Sequence, residues 1–220
     1  MKRSIWLVIL VFSFAPLFGQ VDEIPYAKEV AAFHTMDSVS MPAAGQILLI
    51  GSSSFTIWKD VNEYFPGYTI LNRAFGGSTL ADQIRYVDKV VYPYNPRQIL
   101  IYCGENDLAS SDTVTAAVTI ARLKTLFNLI RKKYPRTPID FVAIKPSPSR
   151  QMIQAKVIEA NEGIRKFLAQ KKRTAFIDVY KEMVDDEGKS RPELFGEDML
   201  HMNKDGYRIW QRSIAPYLIK

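Results

Sequence analysis

The stretch ILLIGSSSFTIW, residues 47 to 58, decides how this chain is read. Ile47, Leu48, Leu49 and Ile50 run without polar alternation, the pattern of a strand buried on both faces. Gly51 and three serines then leave that strand. Small hydroxylated residues after a glycine commonly close a strand and cap the next element. GSSS by itself is therefore a polar turn, or a polar turn that carries a nucleophile, and the remaining sequence has to separate the two.

Similar apolar runs recur at Tyr68 to Leu71, Gln98 to Cys103, Asp140 to Ile144 and Ala175 to Val179. Segments with helical period lie between them. From Asp112 to Tyr134, Leu123, Phe127, Ile130 and Tyr134 share one face, with Ser111 or Asp112 as cap and Pro135 as stop. A second helix is expected from Gln151 to Lys172 and a last one from Asn203 to Ile219. Strand and helix alternate throughout, which predicts an α/β fold with one parallel sheet covered by helices on both sides. Ligands in such folds bind beyond the carboxyl ends of the strands. Four segments there are unusual: GSSS after the first strand, NRAFGGS (72 to 78) after the second, GEND (104 to 107) after the third, and DMLH (198 to 201) before the final helix.

With 220 residues, 47% of them hydrophobic, the chain is long enough to bury a full core, and its length favours one domain. Residues 1 to 20 read as a secretory signal: Lys2 and Arg3, an apolar stretch from Ile5 to about Phe18, then the small Gly19. The run is shorter than the ~20 residues of a spanning helix and is broken by Pro16, so cleavage near Gly19 or Gln20 is expected, with an uncleaved membrane anchor as the alternative. Residues 21 to 220 would then form a single exported domain with no stable membrane span. Cys103 is the one cysteine, so no internal disulfide is possible and the core must hold the fold. Removal of the leader leaves 27 basic against 23 acidic residues, a net +4. The clusters Arg131-Lys132-Lys133 and Lys171-Lys172-Arg173 each end a predicted helix, where cations suit the dipole. No nucleic-acid footprint is present.

Histidine is scarce, with His34 and His201 alone. His34 lies in AKEVAAFHTMDS, a helical segment without neighbouring chemistry, and reads as a surface residue. His201 is the candidate base. Asp198, three residues earlier, can reach its Nδ1 within one turn and fix the tautomer that leaves Nε2 free to accept a proton. Asn203 looks like the cap of the last helix. Acyl transfer also needs donors aimed at a developing oxyanion, and Gly76-Gly77 and Asn106 offer a backbone N–H and a side-chain amide. Each has a plain structural role as well, in a turn or as a cap. Their convergence with Ser and His at one edge of the sheet is something independent turn chemistry would not require.

Taken together, GSSSFTIW, NRAFGGST, GEND and DMLH with the adjoining MNKDGYRIW resemble the four ordered blocks of the SGNH (GDSL-type) esterase and lipase family. The resemblance spans residues 46 to 210 and leans to the branch similar to platelet-activating-factor acetylhydrolase and lysophospholipases. It implies a three-layer αβα sandwich on a mainly parallel five-stranded, flavodoxin-like sheet. It implies Ser53 as nucleophile, His201 as base and acid, Asp198 as its orienting partner, and an oxyanion hole built from Ser53, Gly77 and Asn106. The family's aspartate in GDS is Ser52 here. Ser52 and Ser54 stay open as nucleophile, and Gly76 as donor. The G-x-S-x-G elbow of the α/β-hydrolases is not matched, since Phe55 stands where its second glycine belongs.

These readings predict an exported serine esterase that needs no cofactor or metal, because no histidine or cysteine cluster has ligand spacing. Its substrate is expected to be an acetyl or other short-chain ester of a small molecule, glycan or lysolipid. Arg73, beside the glycines, is a candidate for meeting an anionic group, and the polar stretch from Lys181 to Glu197 for shaping the leaving-group side. The alternative from another class is a non-catalytic binding module that keeps the fold.

Overall fold

The computed structural model describes residues 24–220, so the expected signal segment lies outside the described residues. Five strands form one all-parallel sheet: β1 (Ile47–Gly51), β2 (Ile70–Asn72), β3 (Gln98–Tyr102), β4 (Ile139–Val142) and β5 (Phe176–Ile177), in the order β2-β1-β3-β4-β5. The helices are α1 (Ala27–Val39), α2 (Ser53–Thr56), α3 (Val61–Tyr64), α4 (Leu80–Arg85), α5 (Val87–Val90), α6 (Glu105–Ser110), α7 (Ala116–Lys133), α8 (Gln154–Ala169) and α9 (Lys204–Ile214).

The apolar runs lack alternation because both faces of the sheet are dry. Leu48, Ile50, Ile99, Ile101, Ile139 and Phe141 face a core shared with α1, α4, α5, α7 and α8. Ile47, Leu49, Leu100, Tyr102 and Val142 face a second core with Phe55, Trp58 and Val61 on one side and Tyr207, Ile209, Trp210 and Ile214 of α9 on the other. At about 25 cal/mol per Å² of apolar surface removed from water, two filled cores are what holds a fold that has no disulfide.

Strand ends differ from the sequence expectation where side chains take over backbone bonds. The β4 run stops at Val142 because the Asn161 amide occupies both backbone groups of Ile144, at 2.9 Å and 2.8 Å. The β5 run keeps two residues, as Asp178 accepts from its own Tyr180 N–H and pairs with Arg165. Tyr68 is drawn into a turn by its N–H bond to Phe65, so β2 begins at Ile70. Helix α7 is capped by Thr115, whose hydroxyl accepts from Val118, and not by Ser111 or Asp112. Helix α8 starts only after a 3-10 turn over Pro148–Ile153. The basic residues ending α7 are only partly solvated: Arg131 donates to carbonyls of Tyr134, Pro135, Thr137, Lys172 and Arg173.

The strand order reverses direction between β1 and β3, the place where such sheets open a crevice at their carboxyl ends. The segments leaving β1 and β3 are GSSS and GEND.

Candidate active site

Gly51 ends β1 with φ 130°, and a Cβ there would stand 1.8 Å from the Tyr102 carbonyl oxygen, so only glycine lets the chain turn this close to β3. The Gly51 carbonyl in turn accepts from the Phe75 N–H, the Ser78 hydroxyl and the Gln83 amide. One carbonyl thus fastens the glycine turn of the second segment to the serine turn of the first.

The three serines then separate by environment. Ser52 and Ser54 are buried, the first bonded through its N–H to Tyr102 and the second accepting from the Tyr207 hydroxyl on its carbonyl. Ser53 is half-buried, and its Oγ lies 2.9 Å from His201 Nε2. The other ring nitrogen, Nδ1, lies 2.6 Å from Asp198 Oδ2. Asp198 Oδ1 accepts the backbone N–H groups of His201 and Leu200, both at 2.9 Å. Those two amides and the imidazole hold the Asp198 carboxyl down to about 2. Residues 148 positions apart therefore make one Ser–His–Asp chain. His34, as expected, is exposed on α1.

The loop carrying His201 is tightly tied. Met199 takes φ 52°, an unusual conformation for a non-glycine residue, and its carbonyl accepts from both the N–H and the hydroxyl of Ser149. Gly196 N–H bonds back to the His201 carbonyl, and the Asn203 side chain caps α9 through Asp205 and Gly206.

In the loop after β2, Gly77 turns the chain at φ 79°, and the Tyr26 hydroxyl stands 3.3 Å from where a Cβ on Gly77 would be. Among the described residues, the N–H groups of Ser53, Gly76 and Gly77 bond to no protein acceptor, so all three amides are open. The Asn106 amide nitrogen donates to the Ser78 carbonyl at 3.1 Å, and its oxygen accepts from Arg150 at 2.9 Å. Asp107 in the same segment is fully buried and serves structure: it accepts the Leu80 N–H at the start of α4 and pairs with Arg122 at 2.7 Å. Burial pushes its carboxyl up, against those donors.

Two features singled out in the sequence are more tied down than it suggests. Arg73 is mostly buried, bonded to Tyr94 and paired with Asp37 of α1, while it also lines the groove beside Gly76. The stretch from Lys181 to Glu197 is largely exposed, and Met183, Leu194 and Phe195 anchor it in the core beside α9.

A fifth segment at this edge escapes the sequence reading. KPSPSR (145 to 150) leaves β4, and its signal is Lys145 and Arg150 directly after an apolar run. Lys145 is buried, with Nζ 2.6 Å from Glu105 and 2.6 Å from the Ser147 hydroxyl. Glu105 also accepts from Tyr102 at 2.8 Å and from Ser147 at 2.5 Å. Burial alone would raise the Glu105 carboxyl, but the Lys145 ammonium and the Ser147 hydroxyl outweigh it and hold it below the usual range. Burial pulls the Lys145 ammonium down, opposed by Glu105. With every Glu105 oxygen and the ammonium hydrogen-bonded, the ionised pair is the state the geometry supports.

A groove of about 440 Å³ runs between α1 and the loops after β1 and β2; Thr56 and Gly76 line it, but Ser53 and His201 do not. Chemistry, and not cavity size, locates the site.

A model of the GDSL-like lipase/acylhydrolase family matches residues 51–209. The chain belongs to the GDSL-like lipase/acylhydrolase family. As a GDSL-like acylhydrolase it is a carboxylic ester hydrolase. No match was found among curated proteins. Among solved structures, a Streptococcus pneumonia protein described provisionally as a platelet activating factor superposes with TM-score 0.76 at 21% identity, covering 87% of this chain and 92% of its own. A GDSL-like lipase from Bacteroides thetaiotaomicron gives 0.73 at 18% identity, covering 86% and 96%. A carbohydrate esterase family 3 structure from Talaromyces cellulolyticus gives 0.62 at 15%, covering 79% and 95%. At these identities the likeness is one of fold, and the fold is that of GDSL-like hydrolases.

Proposed function

We propose that Ser53, His201 and Asp198 carry the ester hydrolysis of this protein through an acyl-enzyme. The observation that carries the reading is the 2.9 Å contact from Ser53 Oγ to His201 Nε2, with Asp198 on the opposite ring nitrogen. Ser53 Oγ attacks the ester carbonyl carbon while His201 Nε2 takes its proton, and the carbonyl electrons move onto oxygen. Open amides of Ser53 and Gly77, with the Asn106 side-chain N–H, receive that oxyanion. The tetrahedral adduct then collapses: the C–O bond to the alcohol breaks, and His201 returns the proton to the leaving oxygen. Water attacks the acyl-enzyme, His201 takes its proton and hands it to Ser53, and the carboxylic acid departs. Asp198, ionised because its carboxyl is held down to about 2, keeps Nδ1 protonated and offsets the imidazolium charge in each half-reaction.

The finer substrate reading is an acetyl or other short-chain ester. Ser53 and His201 are both half-exposed, so the reacting centre is open and no long acyl chain needs burial there. The groove beside Gly76 gives space to the rest of the substrate, lined by Phe33, Met36 and Phe75 and edged by Glu29 and Lys59. That mixture suits a glycan or lysolipid alcohol, and the carbohydrate esterase among the structural neighbours points the same way. Residues 1 to 20 are read as a cleaved export signal ahead of one catalytic domain, which mass spectrometry of the exported N-terminus tests.

The direct test is Ser53→Ala in purified protein with p-nitrophenyl acetate. The expected result is a fall in kcat of at least about 10⁴-fold; unchanged hydrolysis would end the proposal.

A further inference from the structure

We propose that Arg150 is a positioning residue of the site: it sets the orientation of the Asn106 amide and lends that amide positive charge from behind. This rests on the reading of Asn106 as an oxyanion donor. The two ends of an asparagine amide have almost the same shape and opposite polarity, so one that is free to turn can present its oxygen to the oxyanion, where it repels. In this site the choice is made. Arg150 Nη1 donates to Asn106 Oδ1 at 2.9 Å, and a guanidinium cannot accept. The Ser78 carbonyl takes one hydrogen of Asn106 Nδ2 at 3.1 Å, and a carbonyl cannot donate. Both contacts demand the same orientation, and the second Nδ2 hydrogen remains for the reacting carbonyl.

Charge adds to geometry. Glu105 is the nearest carboxylate to Arg150, but it already holds Lys145 at 2.6 Å, while Arg150 Nη1 stands at 4.0 Å. The anion is in closer contact with Lys145, so it offsets the field of the guanidinium only in part. Set on the oxygen end of the amide, that charge polarises the bond and strengthens the N–H at the other end. The segment that carries Arg150 is itself anchored to the second half of the site, because Ser149 holds the Met199 carbonyl in the loop of His201, and the Ser147 hydroxyl lies 3.5 Å from the Leu200 carbonyl. KPSPSR thereby sets the oxyanion donor and the base from one short piece of backbone. With the side chain about one-fifth exposed, Arg150 reaches the site without being sealed in it.

The test is a double-mutant cycle on the full protein with p-nitrophenyl acetate. Asn106→Ala is expected to lower kcat about 100- to 1,000-fold, and Arg150→Met about 10- to 100-fold with KM within about 2-fold. In the Asn106→Ala background, Arg150→Met is expected to cost less than about 3-fold, since its route to the substrate is gone. Arg150→Gln, whose amide can still donate to Asn106 Oδ1, is expected to recover part of the loss. A melting curve on each variant controls for folding, and Arg150→Gln carries the test should Arg150→Met not fold. The proposal is overturned if the two losses multiply, if Arg150→Met changes KM alone, or if Arg150→Gln is no better than Arg150→Met. Should Asn106→Ala leave kcat unchanged, the reading of Asn106 fails and takes this proposal with it, whereas a large Asn106 effect beside a silent Arg150 sinks the proposal alone.

Discussion

Two acid–base pairs stand at the same edge of the sheet and are built for opposite ends. Asp198 and His201 sit in a loop near water, the carboxylate about half exposed, with two backbone amides and one ring as its partners. Glu105 and Lys145 are sealed, at 5% and 1% exposure, and every polar atom is matched inside the protein. An exposed pair can gain and lose a proton at little cost to the fold. A sealed pair cannot, because either charge left alone would be stranded away from water. The first arrangement suits proton transfer; the second braces the neighbouring loops, since Glu105 adjoins Asn106 and Lys145 begins the segment that ends in Arg150.

This contrast makes separable predictions. Asp198→Asn should lower kcat about 10³- to 10⁴-fold by favouring the wrong tautomer of His201, with little change in melting temperature. A carboxyl whose folded value is depressed contributes above its ordinary range and is lost only as pH falls through about 2. Between about pH 5 and 8 the carboxyl should therefore stay ionised, and the pH profile of kcat should contain no carboxyl ionisation that Asp198→Asn removes. Such an ionisation within that window would place a titrating carboxyl where the structure has an ionised one. Lys145→Met should behave the other way and destabilise by about 3 to 5 kcal/mol, because it leaves Glu105 buried without its cation; denaturant unfolding measures it. Replacing both partners, Lys145→Met with Glu105→Gln, should recover part of that loss, and no recovery would mean that Lys145 acts by packing alone.

The framework is legible in the sequence for a physical reason. Strands dry on both faces have to be continuous apolar runs, and an all-parallel sheet has to alternate them with helices, so Ile47 to Ile50 and Gln98 to Cys103 can be placed to within a residue. The Ser53, His201 and Asp198 convergence is readable because a parallel sheet brings every strand's carboxyl end to one edge. The hidden part is set by side chains reaching across the chain. Nothing local to Asn161 says that it will take the backbone groups of Ile144 and shorten β4. Arg73 looks available in the sequence because its partner Asp37 lies 36 positions away on α1. KPSPSR escapes notice since proline and serine read as an ordinary turn, whereas its role depends on Glu105, Asn106 and Met199 from two other loops.

The most direct measurement is labelling of the purified protein with a fluorophosphonate, with peptide mapping of the adduct, in wild type and His201→Ala. A single adduct on the hydroxyl of residue 53, absent when the imidazole is removed, is the result expected. An adduct on Ser52 or Ser54, or one on Ser53 that forms equally fast without His201, would contradict a nucleophile activated by that ring.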